Sequence, residues 1–487
     1  MIDSQSRASG ERWPLLKSHD GNNQLRAYLY AAVAAVGGFL CGYDTGSISG
    51  IIALPIFQKL FFVKESIAFY ESILLASFLI TSMVGAFVSG YFCDEIGRKN
   101  SIMFSSSLLS IGIMMELSGF NTHILLSGRL IAGLGTGLMT NAIPLYQSEI
   151  APSDIRGRLV SMYTSLSSFG RLIGYAVIFY SSYFQSNWAW RTPWAVQFVL
   201  SIAFLAACSS LPYSPRWLIS QKRDAEGLEV LGNIYDLPKD HRIVQDEYTK
   251  IVSQIETEHR MGSEQTYADL FRGSNLKTTL TAFFISIATC FTGNVAISYF
   301  APTIFKNAGL DDVSISLALT GGASLLSFIA NMISFKWWVD TWGRRSLFLI
   351  GSAISSICMF TIGIIFYTHA EVTNGEVAIP NAQARYIVIL CIYLFSASFA
   401  ATWEICTYVY TAEVFSMKYR AKGLSLTYAI SWAGSILITY TIPYLLLYSI
   451  SGVYFFFGAC SILNFIGVWF IPETKGKSLE EIDAMFE

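Results

Sequence analysis

The feature that most constrains this chain is a train of about twelve apolar runs of roughly 20 residues each, the length an α-helix needs to cross the hydrocarbon of a bilayer. They fall near 28–53, 68–92, 101–119, 123–146, 159–184 and 192–212, then near 278–305, 313–338, 345–368, 384–413, 423–447 and 452–471. Numbered in order, these are spans one to twelve. Between the two sets lies a charged segment, 213–277, with helical periodicity over 226–235 and 246–259. A chain of 487 residues would ordinarily make two or three soluble domains, but 53% hydrophobic content with 14% charge excludes that. A net charge of -2 gives no reason to expect a nucleic-acid partner. Of eight cysteines, Cys41, Cys290, Cys358, Cys391, Cys406 and Cys460 lie inside apolar runs and none has CxxC spacing. They read as small apolar residues, so neither disulfides, a metal site nor a cofactor is expected.

The expectation is an all-α membrane protein of six spans, a linker and six more. Its parts are a tail at 1–27, a first half at 28–212, the linker at 213–277, a second half at 278–471 and a tail at 472–487. The first 25 or so residues lack the apolar core of a cleaved signal peptide. With both tails and the linker in the cytosol, about 25 of the 32 basic residues fall on that side, as the positive-inside rule requires. Arg129 and Arg171 stay inside the membrane.

The halves echo each other. Residues 90–99 read G-Y-F-C-D-E-I-G-R-K between spans two and three, and 338–345 read W-V-D-T-W-G-R-R between spans eight and nine. Glu149 precedes Arg156 after span four as Glu413 precedes Arg420 after span ten. Asp94, Arg98, Glu149 and Arg156, and their counterparts Asp340, Arg344, Glu413 and Arg420, therefore put acids and bases at one surface twice over. Charges so placed can bridge helix ends in one conformation and part in another, the behaviour of a gate between two bundles rocking about a midplane site.

From Gly37 to Gly476 the chain resembles the sugar porter family of the major facilitator superfamily, with a fungal flavour. The residues that carry the likeness are Gly42-Tyr43-Asp44-Thr45-Gly46 in span one, and Gly128-Arg129 with Gly133, Gly135 and Gly137 in span four. Ser214-Pro215-Arg216-Trp217-Leu218 follows span six, Pro302-Thr303-Ile304-Phe305 closes span seven and Pro472-Glu473-Thr474-Lys475-Gly476 follows span twelve. The resemblance implies alternating access by a transporter, not an enzyme. It implies that Asp44 accepts a proton and Arg129 tunes it, the effect expected of a cation beside a carboxylate at membrane depth. It also implies an aromatic gate at Tyr299 and Phe300 and a bent span seven at Thr292-Gly293-Asn294.

The pocket departs from the family. Thr164 stands where many sugar porters have Gln, Thr289 and Cys290 replace paired Gln, Val295 replaces an Asn and Phe328 stands where hexose porters tend to have Asn. Ser431 and Ser435 take positions that are often Asn, Tyr408 stands for a capping Trp, and Trp432 is kept. A buried amide donates and accepts to sugar hydroxyls at once, so the loss weakens a hexose assignment. Arg171, two turns beyond Thr164, and Glu404 in span ten add two charges that pair with each other or receive an anionic group. Asn294 is a further candidate ligand. Tyr213 stands where the loop after span six usually has Glu.

The expected solute is a sugar, polyol or sugar-derived molecule carried with protons. The alternatives are uncoupled facilitation, an anionic sugar acid, and a nutrient sensor that transports nothing. In the tail, Glu11 followed by Leu15 and Leu16 resembles an acidic dileucine signal read by sorting adaptors. The expected location is the plasma membrane, with a vacuolar or endosomal membrane as the alternative.

Overall fold

The computed structural model describes residues 25–62, 67–152, 155–260, 266–308, 313–373, 376–416 and 419–477, and a few positions near the C-terminus. Every apolar run is helical. Spans one to six are Leu25–Ala53, Ile67–Glu95, Arg98–Ser118, Thr122–Ile150, Arg156–Ser181 and Trp188–Cys208. Spans nine, eleven and twelve are Arg344–His369, Arg420–Tyr448 and Ile450–Trp469. Side chains cap several starts: Asn121 accepts from the Ile124 amide, Asn381 from Gln383 and Ser449 from Gly452. Among the described residues ten helices are long and apolar enough to cross a membrane. Spans four and five are not among them because glycine, serine and arginine, Arg129 in span four and Arg156, Arg158 and Arg171 in span five, dilute their hydropathy.

Three spans are interrupted. Span seven is Ser274–Phe291 and then Asn294–Asn307, with Gly293 at φ 98° between them. A Cβ there would be strained by the backbone and would meet the Met359 methyl at 2.6 Å. Span ten runs Ala382–Phe399, a π-helical turn Ala400–Glu404, and Ile405–Val414. Span eight, Val313–Ile333, passes through a second π turn, Ser334–Trp338, into Val339–Trp342. The linker carries the short helix Pro215–Ser220, then Asp224–Tyr235, Arg242–Arg260 and a 3-10 turn at Tyr267–Phe271. A small antiparallel hairpin, Glu371–Thr373 with Glu376–Ala378, joins spans nine and ten.

Packing follows the same plan twice. In the first half span one lies on five, two on four, and three on six; in the second, seven lies on eleven, eight on ten, and nine on twelve. The halves meet through span two on eleven and span five on eight. Tyr267 of the linker enters the first of these seams, donating to the Phe87 carbonyl at 3.0 Å and lying 3.2 Å from the Ser425 hydroxyl. Its burial there raises the phenol above its ordinary value, which keeps the O–H as a donor.

Candidate functional site

Spans one and five are fitted together by small residues. Gly38, Gly42, Gly46 and Gly50 recur every fourth residue, so they form one stripe of the helix. A Cβ at Gly42 would sit 1.9 Å from the Ser167 carbonyl oxygen and one at Gly46 would sit 2.3 Å from that of Arg171. Gly170 and Gly174 answer from span five, each against a backbone carbonyl of span one. The two backbones touch, and side chains flanking the stripe point into the space between the halves.

That space is a central cavity with about 1050 Å³ not filled by protein atoms. Thr164, Arg171, Thr289, Cys290, Asn294, Glu404, Tyr408 and Trp432 all line it, together with Tyr299, Ser431 and Ser435. Phe300 is buried and Phe328 packs on Phe169 instead. The polar lining is partly self-satisfied: the Thr164 hydroxyl donates to the Ser161 carbonyl, and the hydroxyls of Thr289 and Thr407 lie 2.9 Å apart. The Cys290 thiol donates to the Ser431 carbonyl at 3.2 Å. Tyr408 lies between Tyr163 and Tyr428, its ring centroid 5.4 and 5.3 Å from theirs with the planes tilted, an aromatic group contributed by both halves.

One ion pair crosses the cavity. Arg171 of span five donates through Nη2 to Glu404 Oε1 at 2.6 Å, and Ser168 donates to Oε2 at 3.1 Å. Glu404 ends the π turn of span ten, whose extra residue per turn shifts the helix face. Asn331 of span eight holds that turn: its Nδ2 donates to the Ala400 carbonyl at 3.2 Å while its Oδ1 accepts from Ser165 at 2.9 Å. Neither Ser168 nor Asn331 stands out in the sequence, because a lone Ser or Asn in a helix signals nothing until its direction is known.

A second charged group lies in the first half. Arg129 Nη1 donates to Asp44 Oδ1 at 2.8 Å, with both side chains buried, and its guanidinium lies over the Phe78 ring at 4.3 Å. Glu116 of span three, not singled out in the sequence, has Oε1 3.6 Å from the same Nη1.

At one end of the bundle are two latches built alike. Gly97 and Gly343 start spans three and nine with φ 87° and 85° and ψ 156°, a backbone conformation that favours glycine. The next residues, Arg98 and Arg344, each donate to the carbonyl five residues back, Cys93 and Val339. Each also pairs with the acid that ends span four or ten, Glu149 at 2.8 Å and Glu413 at 2.9 Å. Each acid's second oxygen accepts a hydroxyl from beyond the last span of its half, Ser214 or Thr474. Asp94 lies 3.4 Å from Arg98, and the Asp340 side chain lies outside the described residues. Arg156 and Arg420 do not pair with these acids; Arg420 donates to the Phe415 carbonyl at 3.3 Å. The latches differ at one place. Glu473 accepts from the Arg344 and Arg345 amides at 3.0 Å each, whereas Tyr213 stacks on Trp217 and lies under the Lys99 ammonium.

The family model described as sugar (and other) transporter matches residues 30–486. The chain belongs to the sugar porter family of the major facilitator superfamily. Among the curated relatives, a major facilitator-type transporter, ecdD, of Aspergillus rugulosus is 30% identical over 98% of this sugar porter and 88% of its own length. A probable quinate permease of Aspergillus flavus is 31% identical, covering 95% and 88%. The low-affinity glucose transporter HXT3 of Saccharomyces cerevisiae is 29% identical, covering 93% and 81%. The solved proton:xylose symporter XylE bound to 6-bromo-6-deoxy-D-glucose superposes with a TM-score of 0.81, at 25% identity over 96% of this porter and all of that chain. The inward-open form of XylE from E. coli, 26% identical over 95% and 100%, scores 0.72.

Proposed function

We propose that this porter carries a neutral polyhydroxylated solute, a sugar or polyol, together with a proton, by alternating access. The observation that carries the reading is the cavity-crossing pair: Arg171 is already matched by Glu404, so the cavity is electrically balanced and otherwise lined mainly by hydroxyls and aromatic faces, with one amide, the thiols of Cys41 and Cys290, and Val295. Such a lining exchanges hydrogen bonds with solute hydroxyls and gives apolar ring faces an aromatic surface. Asp44, buried beside Arg129, is the acid that the coupling proton visits, and likeness to a proton:xylose symporter supports this. The linker and both tails are assigned to the cytosol, which makes the Arg98–Glu149 and Arg344–Glu413 latches the inner gate, joined by Asp94, Asp340, Arg156 and Arg420, with Tyr299 and Phe300 at the outer one. Residues 28–212 and 278–471 are the two rocking halves. Glu11, Leu15 and Leu16 lie outside the described residues; as an adaptor signal they would matter only to which membrane holds the protein, taken as the plasma membrane.

A second reading, an anionic solute, draws on the relatives named as probable quinate permeases and on Arg171. There a solute carboxylate would displace Glu404 from the guanidinium. The deciding experiment is uptake of labelled D-xylose, D-glucose, myo-inositol and quinate into proteoliposomes with and without an inward proton gradient. We expect the neutral solutes to accumulate with the gradient, and Asp44→Asn to leave only equilibration. Accumulation by Asp44→Asn sinks the symport reading, and quinate uptake that is abolished by Arg171→Leu selects the anionic one.

A further inference from the structure

We propose that Glu116 holds the coupling proton: Asp44, Arg129 and Glu116 form one site for one proton, with Arg129 exchanging one carboxylate partner for the other. The inference rests on the symport reading of Asp44 and adds a residue to it.

The geometry is a single guanidinium nitrogen facing two acids from two different helices. Arg129 Nη1 is 2.8 Å from Asp44 Oδ1 and 3.6 Å from Glu116 Oε1. The Glu116 side chain is 0% exposed, and neither of its oxygens has a hydrogen-bond donor among the described residues. Gly128 makes room for the acid at this position, since a Cβ there would lie 2.9 Å from Glu116 Cγ. Among the described residues the other elements around the group contribute no second cation: span two presents the Phe78 ring, and around Asp44 stand Cys41 and Tyr43 of its own helix and Tyr299 of span seven. Arg171 of span five is engaged by Glu404.

Charge balance then dictates the occupancy. One buried cation offsets one buried carboxylate, and a second ionised acid with no donor would be an uncompensated charge in low dielectric. In the arrangement seen here Asp44 has the short bond, so Glu116 is the carboxylic acid. When Glu116 passes its proton to Asp44, Arg129 closes the remaining gap to Glu116 and the site stays neutral. Release of the proton from Asp44 leaves two carboxylates on one cation, a net negative site that draws in the next proton. Glu116 thus spares Arg129 from ever standing unpaired while Asp44 is protonated.

Infrared difference spectroscopy of the purified protein in lipid tests this without knowledge of the solute. Labelling wild type with carboxyl-¹³C glutamate should shift one carboxylic-acid C=O band that Glu116→Gln removes and Glu116→Asp moves. In Asp44→Asn that band should vanish as Glu116 ionises to pair with Arg129. A wild-type spectrum without a buried glutamic-acid band overturns the proposal, even if Glu116→Gln does not fold. So does a band that persists unchanged in Asp44→Asn, which is the behaviour of a structural, permanently protonated acid. Transport separates this from its premise. A proton gradient of about one pH unit supports about tenfold accumulation of a symported solute. If wild type exceeds equilibration with D-xylose, D-glucose, myo-inositol or quinate and Asp44→Asn does not, then Glu116→Gln should also only equilibrate while keeping solute exchange. Full accumulation by Glu116→Gln defeats Glu116 and spares Asp44, whereas accumulation by Asp44→Asn defeats the symport reading itself.

Discussion

At the scale of single residues the two latches form a controlled comparison inside one chain. Glu473 accepts two amides at the start of span nine, where the helix dipole adds to its hold, and Tyr213 supplies no carboxylate to span three. Glu473→Gln should therefore lower stability by about 1 kcal/mol, seen as a fall in Tm, while Tyr213→Gln changes it less. The Arg171–Glu404 pair gives a sharper test. Arg171→Leu or Glu404→Leu alone strands a largely buried charge and should cost roughly 3–5 kcal/mol, and the double variant should recover most of it. Near-additive losses in a thermal double-mutant cycle would contradict the pairing. These charges were legible in the sequence because an ionised group in an apolar run is conspicuous. Their partners were only half legible: the sequence left pairing and solute binding open for Arg171, and geometry placed Glu404 on it. Glu116 carried the same signal, an acid between Met115 and Leu117, yet its meaning depends on which way span three faces.

Among elements, the join of span one to span five is the least forgiving. Gly42→Ala sets a methyl into the Ser167 carbonyl and should abolish a monodisperse peak in size-exclusion chromatography. Gly321→Ala, with nothing within 4 Å of the added carbon, should elute as wild type. The break in span seven could be read from Thr292-Gly293-Asn294, since glycine licenses the positive φ found there. The π turn of span ten could not. Ala400-Ala401-Thr402-Trp403-Glu404 contains neither Pro nor Gly, and what accompanies the turn lies 69 residues away at Asn331. Helix positions follow from local apolar length, whereas a widened turn answers to a tertiary hydrogen bond that no local pattern encodes.

For the whole molecule, the proposed alternating access requires the seam between spans two and eleven to open for release at the latch end. Gly90 faces Ser425 so closely that a Cβ at Gly90 would lie 2.9 Å from the serine hydroxyl. Gly90→Cys with Ser425→Cys should therefore form a disulfide on oxidation, stop transport and restore it on reduction; oxidised protein that still transports would show that this seam does not part. The two-half plan was legible because both halves repeat the same loop chemistry, and the twelve helices follow from run length alone. What the repeat could not disclose is how the charged sites are mechanically joined. Gly46 rests against the Arg171 backbone and Asp44 is two residues from Gly46, so the glycine stripe makes spans one and five a single strut with almost no play. A tilt of the first half that pulls Arg171 away from Glu404 carries Asp44 with it, because Gly46 ties the two helices together. On such a strut the arginine that faces the cavity and the acid that faces Arg129 ride on one lever.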